Sequence, residues 1–346
     1  MDYFIFTLDP KYSTNRILCS LRPNITNTPD SIINNYLFLP EGLKRQGEGG
    51  HRLNGLFKHS YVIYSDRWMI IDDITSCIYN SEININTKNI NVDNNIFFKK
   101  KLPLISIITI VFNSYNGIQD TIKSVLSIDY SNIEYIIIDG GSNDGTLDVI
   151  NFYDDYIDYW VSESDNGISE AFNKSLSVAN GEWILFLNSG DIFASNDILQ
   201  KLLEYESQYN IITGFVKIKN KNKYIPNKIL RNNDPYFQKA MIAHQGTLAR
   251  KYLFTKYGPF SLNFKMRMDL EFWLRVLKNE KFKFVQTIVA EYDQYGYSSS
   301  NPILFNYEEI KGIIKHDTKN IPYWIFYKFR KICFHILNAV YRIYRH

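Results

Sequence analysis

Four apolar runs in this chain each stop at residues able to do polar chemistry. ISIITIV leads into Phe112 and Asn113, and three isoleucines run directly into Asp139. DYWVS leads into Glu163 and Asp165, and WILFL ends at Asn188 and Asp191. An ionised carboxylate only accepts hydrogen bonds, so at a strand tip it suits a base edge, a ribose hydroxyl or a hard divalent cation. A fifth acid, Asp269 in MRMDLEFWLR, falls near the start of a predicted helix, where the helix dipole favours an anion. Lys174 is a point charge suited to a phosphate group.

These tips need elements to position them. Residues 105–111 are continuously apolar and β-branched, as expected of a strand buried on both faces. After Gly117, positions Ile118, Ile122, Val125 and Leu126 share one helical face. Residues 135–140 read as a second strand, TLDVINFY as a helix, DYWVS as a third strand, SEAFNKSLSVA as a helix and WILFLNSGD as a fourth strand. That alternation predicts a parallel, doubly wound sheet, in which ligands bind at the carboxyl ends of the strands. The four polar tips then converge on one crevice. Gly140 and Gly141 permit a turn close to a ligand, and Asp165 and Gly167 open another. Ser142, Asn143 and Asp144 suit capping of the following helix. Downstream, Ser195 is the expected N-cap of a helix through Leu203, residues 212–226 read as a hairpin, and a helix is expected over about 268–277.

Composition narrows the class. With 346 residues and 45% hydrophobic content the chain has material for a large core. Its 39 Lys+Arg against 36 Asp+Glu offer no support for general nucleic-acid binding. Cys19, Cys77 and Cys333 are scattered, which argues against a disulfide framework or a zinc site. The opening MDYFIFTLDPKYS lacks a basic n-region, and no stretch approaches the roughly 20 apolar residues of a spanning helix. The expectation is a cytoplasmic chain.

Residues 1–100 are an N-terminal extension of unknown role. The run over 80–95, NSEININTKNINVDNN, reads as a low-complexity linker, and LPEGLKRQGEGGHRLNGLFK as a connector in preference to an anion-wrapping loop. Two halves follow, 101–195 and 196–303. The terminal region 304–346 ends in IPYWIFYKFRKICFHILNAVYRIYRH, where Phe329, Ile332, Ile336, Val340 and Ile343 form a helical stripe beside Lys328, Arg330, Lys331, Arg342 and Arg345. Such a basic amphipathic helix suits a membrane headgroup layer, and equally a core or oligomer contact.

The pieces SIITIVFN, IIIDGGSNDGT, SESDNGISEAFNKSLSVANGEWILFLNSGD and MRMDLEFWLR, in this order and spacing, resemble the family-2 inverting glycosyltransferases of the branch that builds O-antigens and capsules. The resemblance implies a GT-A fold: Rossmann-like α/β, a mostly parallel central sheet with helices on both faces, here joined to the N-terminal extension and the helical tail. It implies hexosyl transfer from a nucleotide-diphosphate sugar to a hydroxyl of a lipid-linked glycan acceptor, with Mn²⁺ or Mg²⁺ as cofactor. Carried over residue by residue, it places Thr109, Val111, Asn113, Asp139, Asp165, Gly167, Asn173, Lys174 and Asn188 at the nucleotide, Asp191 on the metal and Asp269 as the base. His244 and Gln245 would meet acceptor or metal, and residues 296–301 would lie near the diphosphate. Asn188 and Gly190 replace acids of the family's usual cluster, which puts metal dependence in question and keeps open a carbohydrate-binding scaffold without catalysis. A sugar nucleotidyltransferase would need a Gly- and Arg-rich loop after the first strand, which VFNSYNG does not supply.

Overall fold

The computed structural model describes residues 4–25, 27, 29, 31–42, 44–64, 67–71, 84–85, 100–293 and 301–316. Its main sheet contains Arg45–Gly49 (β1), Ile105–Val111 (β2), Ile133–Asp139 (β3), Tyr159–Glu163 (β4), Trp183–Phe186 (β5), Ile192–Phe193 (β6), Ile211–Ile218 (β7), Tyr224–Ile225 (β8), Thr247–Arg250 (β9) and Lys283–Tyr292 (β10). The strand order is β6-β10-β7-β9-β5-β2-β3-β4-β1, with β8 paired to β7. Strands β5, β2, β3 and β4 run parallel, as the alternation of strand and helix predicts. Antiparallel β9 and β1 extend this unit on either side.

Seven helices matter to the site: Tyr115–Leu126 (α1), Thr146–Phe152 (α2), Ile168–Val178 (α3), Ile198–Leu203 (α4), Tyr252–Lys256 (α5), Met268–Val276 (α6) and Pro302–His316 (α7). Successive side chains of a strand point to opposite faces, so an unbroken apolar strand feeds two cores. Ile105 and Ile107 of β2 pack with Ile118, Ile122 and Ile150 of α1 and α2. Ile108 and Ile110 pack on the other face with Phe172 of α3 and Phe272 of α6. The GT-A expectation, helices on both faces of a mostly parallel sheet, holds.

Three expectations are corrected. The segment read as a connector is an edge strand: β1 pairs antiparallel with β4. Glycines make this possible, because a Cβ at Gly49 would stand 2.4 Å from Trp160 Nε1 and one at Gly47 3.0 Å from the same ring. Just beyond β1, Arg52 forms an ion pair of 2.5 Å with Glu134, both almost wholly buried. Removing either partner would strand a charge in the interior, so this part of the first 100 residues belongs to the sheet. Second, α4 begins at Ile198 with Asp197 as its cap residue, and Ser195 Oγ instead donates to Asp197 Oδ1 (2.6 Å). Third, in the Asn-rich run Asn84–Ile85 pairs in parallel with Phe4 and Ile5; the rest of that run lies outside the described residues, as do the amphipathic stripe and basic residues of the tail, Cys77 and Cys333. Cys19 is a buried free thiol. Among the described residues no helix is long and apolar enough to cross a membrane.

Candidate active site

One side of the candidate site is built from the loops after β2, β3 and β4. Asp139 is wholly buried; its Oδ2 accepts from Ser142 N (3.0 Å) and Ser162 Oγ (2.6 Å), and Ser142 Oγ donates to Oδ1. A carboxylate followed by Gly-Gly-Ser is satisfied by its own turn, so Asp139 ties the second loop to the third. Thr109 is also wholly buried, donating to Leu187 O (2.7 Å) and bonded to Tyr135 Oη (3.0 Å). These two side chains therefore hold the crevice walls and do not line it. Val111 fixes the neighbouring loop through its carbonyl, which accepts from Gly140 N (2.9 Å). Asn113 adopts a positive φ of 47° and accepts from Asn143 N (2.9 Å).

Other groups stand at the surface. The Phe112 ring is 63% exposed. A Cβ on Gly140 would meet Asp165 Oδ2 at 2.8 Å and Phe112 Cδ2 at 3.4 Å, so an aromatic ring and a carboxylate meet over a bare stretch of backbone. Burial raises the Asp165 carboxyl above its usual range, although its Oδ1 accepts from Gly167 N (2.8 Å). Gly167 itself has a φ of 123°, which favours glycine. Asp144 accepts from Tyr115 N and Thr146 N, both at 3.1 Å, and so caps α1 and α2 together.

Two predicted nucleotide contacts are engaged elsewhere. Lys174 Nζ is paired with Glu163 (2.8 Å) and Glu170 (3.5 Å). Asn173 exchanges two 2.9 Å hydrogen bonds with the backbone of Phe260. On a helix, residues at i and i+4 share a face, which explains why Glu170 joins Glu163 at Lys174.

Asp191 closes the turn after β5. Gly190, at φ 93°, approaches α1 so closely that a Cβ on Gly117 would stand 3.1 Å from its nitrogen. Thr121 Oγ1 fastens the turn, accepting from Gly190 N (3.0 Å) and donating to Asp191 O (2.8 Å). The Asp191 carboxyl is 5% exposed and is pushed up to about 7, chiefly by burial. The Asp293 amide (3.3 Å), the Gln245 side-chain amide and the Lys219 ammonium oppose that rise, while the Asp293 carboxylate adds to it. Asn188 Oδ1 is buried with no partner among the described residues.

The facing wall carries Asp269 in the first turn of α6, its side chain 24% exposed and 4.0 Å from Arg267 Nη1. His244 is buried among Phe172, Phe186, Phe260 and Trp273, stacked on Phe186 at 4.4 Å. Burial holds its imidazole down to about 4, with nearby Asp269 opposing, so the ring is neutral at pH 7. His244–Gly246 forms a single 3-10 turn. The Asp269 charge acts on His244 and the Gln245 side chain hydrogen-bonds the Asp191 carboxylate, so both acids lie near this one turn. His244 thus sits behind the surface and Gln245 on the Asp191 carboxylate.

Helix α7 secures α6 at both ends of its first turn. The buried Glu308 carboxylate accepts from Lys265 N, Met266 N and Arg267 N at 2.7, 2.8 and 2.9 Å. Glu271 is buried against Arg275, Lys315 and His316, which hold its carboxyl down to about 2 against the opposing effect of burial. Of the loop at 296–301 only Asn301 is described, where its Oδ1 caps α7 by accepting from Leu304 N (3.0 Å). Sequence reasoning missed Lys219, Asp293 and Glu308, which reach the site from 28 to 102 positions away from the groups they serve, and no local pattern marks them.

Residues 106–265 match the family described as Glycosyl transferase family 2. Residues 106–265 are thus a domain of that family. The chain is 29% identical over 209 residues to an uncharacterized glycosyltransferase of Mycobacterium tuberculosis, covering 57% of this chain and 78% of the relative. It is 28% identical over 247 residues to the Escherichia coli UDP-Glc:alpha-D-GlcNAc-diphosphoundecaprenol beta-1,3-glucosyltransferase WfgD, covering 63% and 97%. Its fold is shared with Staphylococcus aureus TarS 1–349 in complex with UDP-GlcNAc, at a TM-score of 0.50, 18% identity and coverage of 62% and 67%. The match spans 38% of a longer TarS chain.

Proposed function

We propose that this chain transfers a sugar from a nucleotide-diphosphate donor to a hydroxyl of a lipid-linked glycan, with inversion at the anomeric carbon. The observation that supports it most is that Asp191 and Asp269 lie near successive residues of one turn, Asp191 by Gln245 and Asp269 by His244. Asp269 takes the proton of the acceptor hydroxyl as its oxygen bonds to the anomeric carbon. The bond from that carbon to the diphosphate oxygen breaks, and the nucleoside diphosphate leaves with the electron pair. Gln245 holds the Asp191 carboxylate by a hydrogen bond, and the rate comes mainly from positioning. On this reading Phe112 and Asp165, which flank the bare backbone at Gly140, meet the nucleoside, and the named substrate of WfgD supports the lipid-linked acceptor.

A divalent cation fits Asp191 in one mode. Among the described residues no group of three His, Cys, Asp or Glu side chains can hold a metal alone. Mg²⁺ and Mn²⁺ accept one or two carboxylates and complete their shells from phosphate and water, and a buried carboxyl raised to about 7 favours a cationic partner. When bound, such an ion would supply Lewis-acid charge at the leaving diphosphate. The direct test incubates the chain with a panel of nucleotide sugars, with Mn²⁺ or with EDTA, and measures nucleoside diphosphate release. Release from one donor class is expected; no release from any, despite binding, would leave a carbohydrate-binding scaffold.

We also place the enzyme at the inner face of the membrane. On α7, Ile303, Tyr307, Ile310 and Ile314 recur at helical spacing and are 84, 59, 38 and 49% exposed. The acids beside them, Glu308 and Glu309, are buried, and the following chain is basic and apolar. The full chain is expected to float with anionic liposomes, and a chain ending near residue 320 to float less. Equal flotation of the two would rule out the tail as the anchor.

A further inference from the structure

The turn before Asp191 reads Asn188, Ser189, Gly190, so one acid stands where several carboxylates would otherwise gather a metal. A cation from elsewhere in the chain reaches this turn. Lys219, directly after β7, donates from Nζ to the Gly190 carbonyl at 2.6 Å and lies within the electrostatic reach of Asp191. Its backbone nitrogen is fixed to Tyr292 O at 3.0 Å, so the side chain starts from a firm point between β7 and β10.

The local charge balance gives this contact a chemical meaning. Once Asp191 is ionised, it and Asp293 contribute two negative charges and Lys219 one positive charge, leaving the turn at about −1, against −2 without the lysine. A diphosphate arriving here is itself an anion, and each uncompensated carboxylate opposes it. An ammonium carries three N–H donors and can give one to a carbonyl while others meet phosphate oxygens. Lys174, the cation suggested by the sequence pattern, is instead held by Glu163 and Glu170.

We propose that Lys219 is a cation of the donor site, its ammonium seated on the Gly190 carbonyl so as to bind the donor's diphosphate and take up charge as that group leaves. The assignment rests on the reading that Asp191 faces the diphosphate. It implies that the site keeps measurable affinity for a diphosphate when no divalent ion is present.

The test titrates inorganic pyrophosphate into the full chain in EDTA and follows the heat of binding. Lys219→Gln keeps a donor for the Gly190 carbonyl but removes the charge, and is expected to weaken binding about tenfold or more, a difference of roughly 1.4 kcal/mol. Lys219→Arg should bind within about threefold of wild type, since the charge is what matters. Lys223→Met, at an exposed lysine nearby, should bind as wild type. The proposal is overturned if wild type does not bind pyrophosphate in EDTA, if Lys219→Gln binds as well as wild type, or if Lys223→Met weakens binding equally. A purely structural tether would lower the melting temperature of Lys219→Gln without moving the affinity. If Asp191→Asn abolishes turnover while Lys219→Gln binds normally, only the lysine assignment falls. If Asp191→Asn turns over normally, the reading of the donor site fails instead.

Discussion

Asp269→Asn is expected to lower sugar transfer by about 10²- to 10⁴-fold, the range a positioned general base contributes, with donor affinity little changed. Asparagine preserves shape and the capping acceptor to Leu270 N (2.7 Å) but cannot take a proton. Single-turnover rates with saturating donor, beside donor binding measured separately, would show the effect in the chemical step. The side chain's partial exposure fits the role, because the acceptor hydroxyl must reach it. Transfer within about threefold of wild type would remove Asp269 as the base. Loss of donor binding together with turnover would point to damage of the His244–Gly246 turn, which the Asp269 charge faces.

Asp191→Asn is expected to reduce turnover about 10²- to 10³-fold, the scale seen when one charge-stabilising group is removed from a transition state. A second consequence concerns pH. In the chain without metal the Asp191 carboxyl titrates near 7 instead of 3.8, so the folded state binds a proton that the unfolded state has released. The stability gained from that proton is complete below about pH 4 and is lost as pH rises through 7, a change on the order of a few kcal/mol. Denaturant midpoints of the metal-free protein should therefore fall between pH 4 and 7.5, beyond the contribution of other groups. Asp191→Asn should flatten that part of the curve. Stabilisation by Mn²⁺ with a nucleoside diphosphate should grow over the same range, because the cation no longer competes with a proton. A wild-type profile that the asparagine variant reproduces would mean that Asp191 is not the group responsible.

The amino-acid order alone determined the parallel heart of this protein. Runs such as Ile105–Val111 carry no charge and are rich in β-branched residues, which suits burial on both faces, and the glycines and acids after them mark the strand ends. Such patterns are local, so the strand tips, the α6 acid and the family resemblance were all legible before any coordinates. The tertiary structure decided which of those side chains are already engaged. Asp139, at a strand end like Asp191, and Thr109, inside β2, have their hydrogen bonds satisfied from within, by Ser142 and Ser162 in one case and by Leu187 in the other. Lys174 looked available until Glu163, from a different element, was seen to hold it. The edge strand β1 was hidden because its residues are charged and glycine-rich, and only the Trp160 ring it covers explains them. Lys219, Asp293 and Glu308 left no trace in the sequence pattern, since a side chain's electrostatic role depends on neighbours that the chain brings together only by folding.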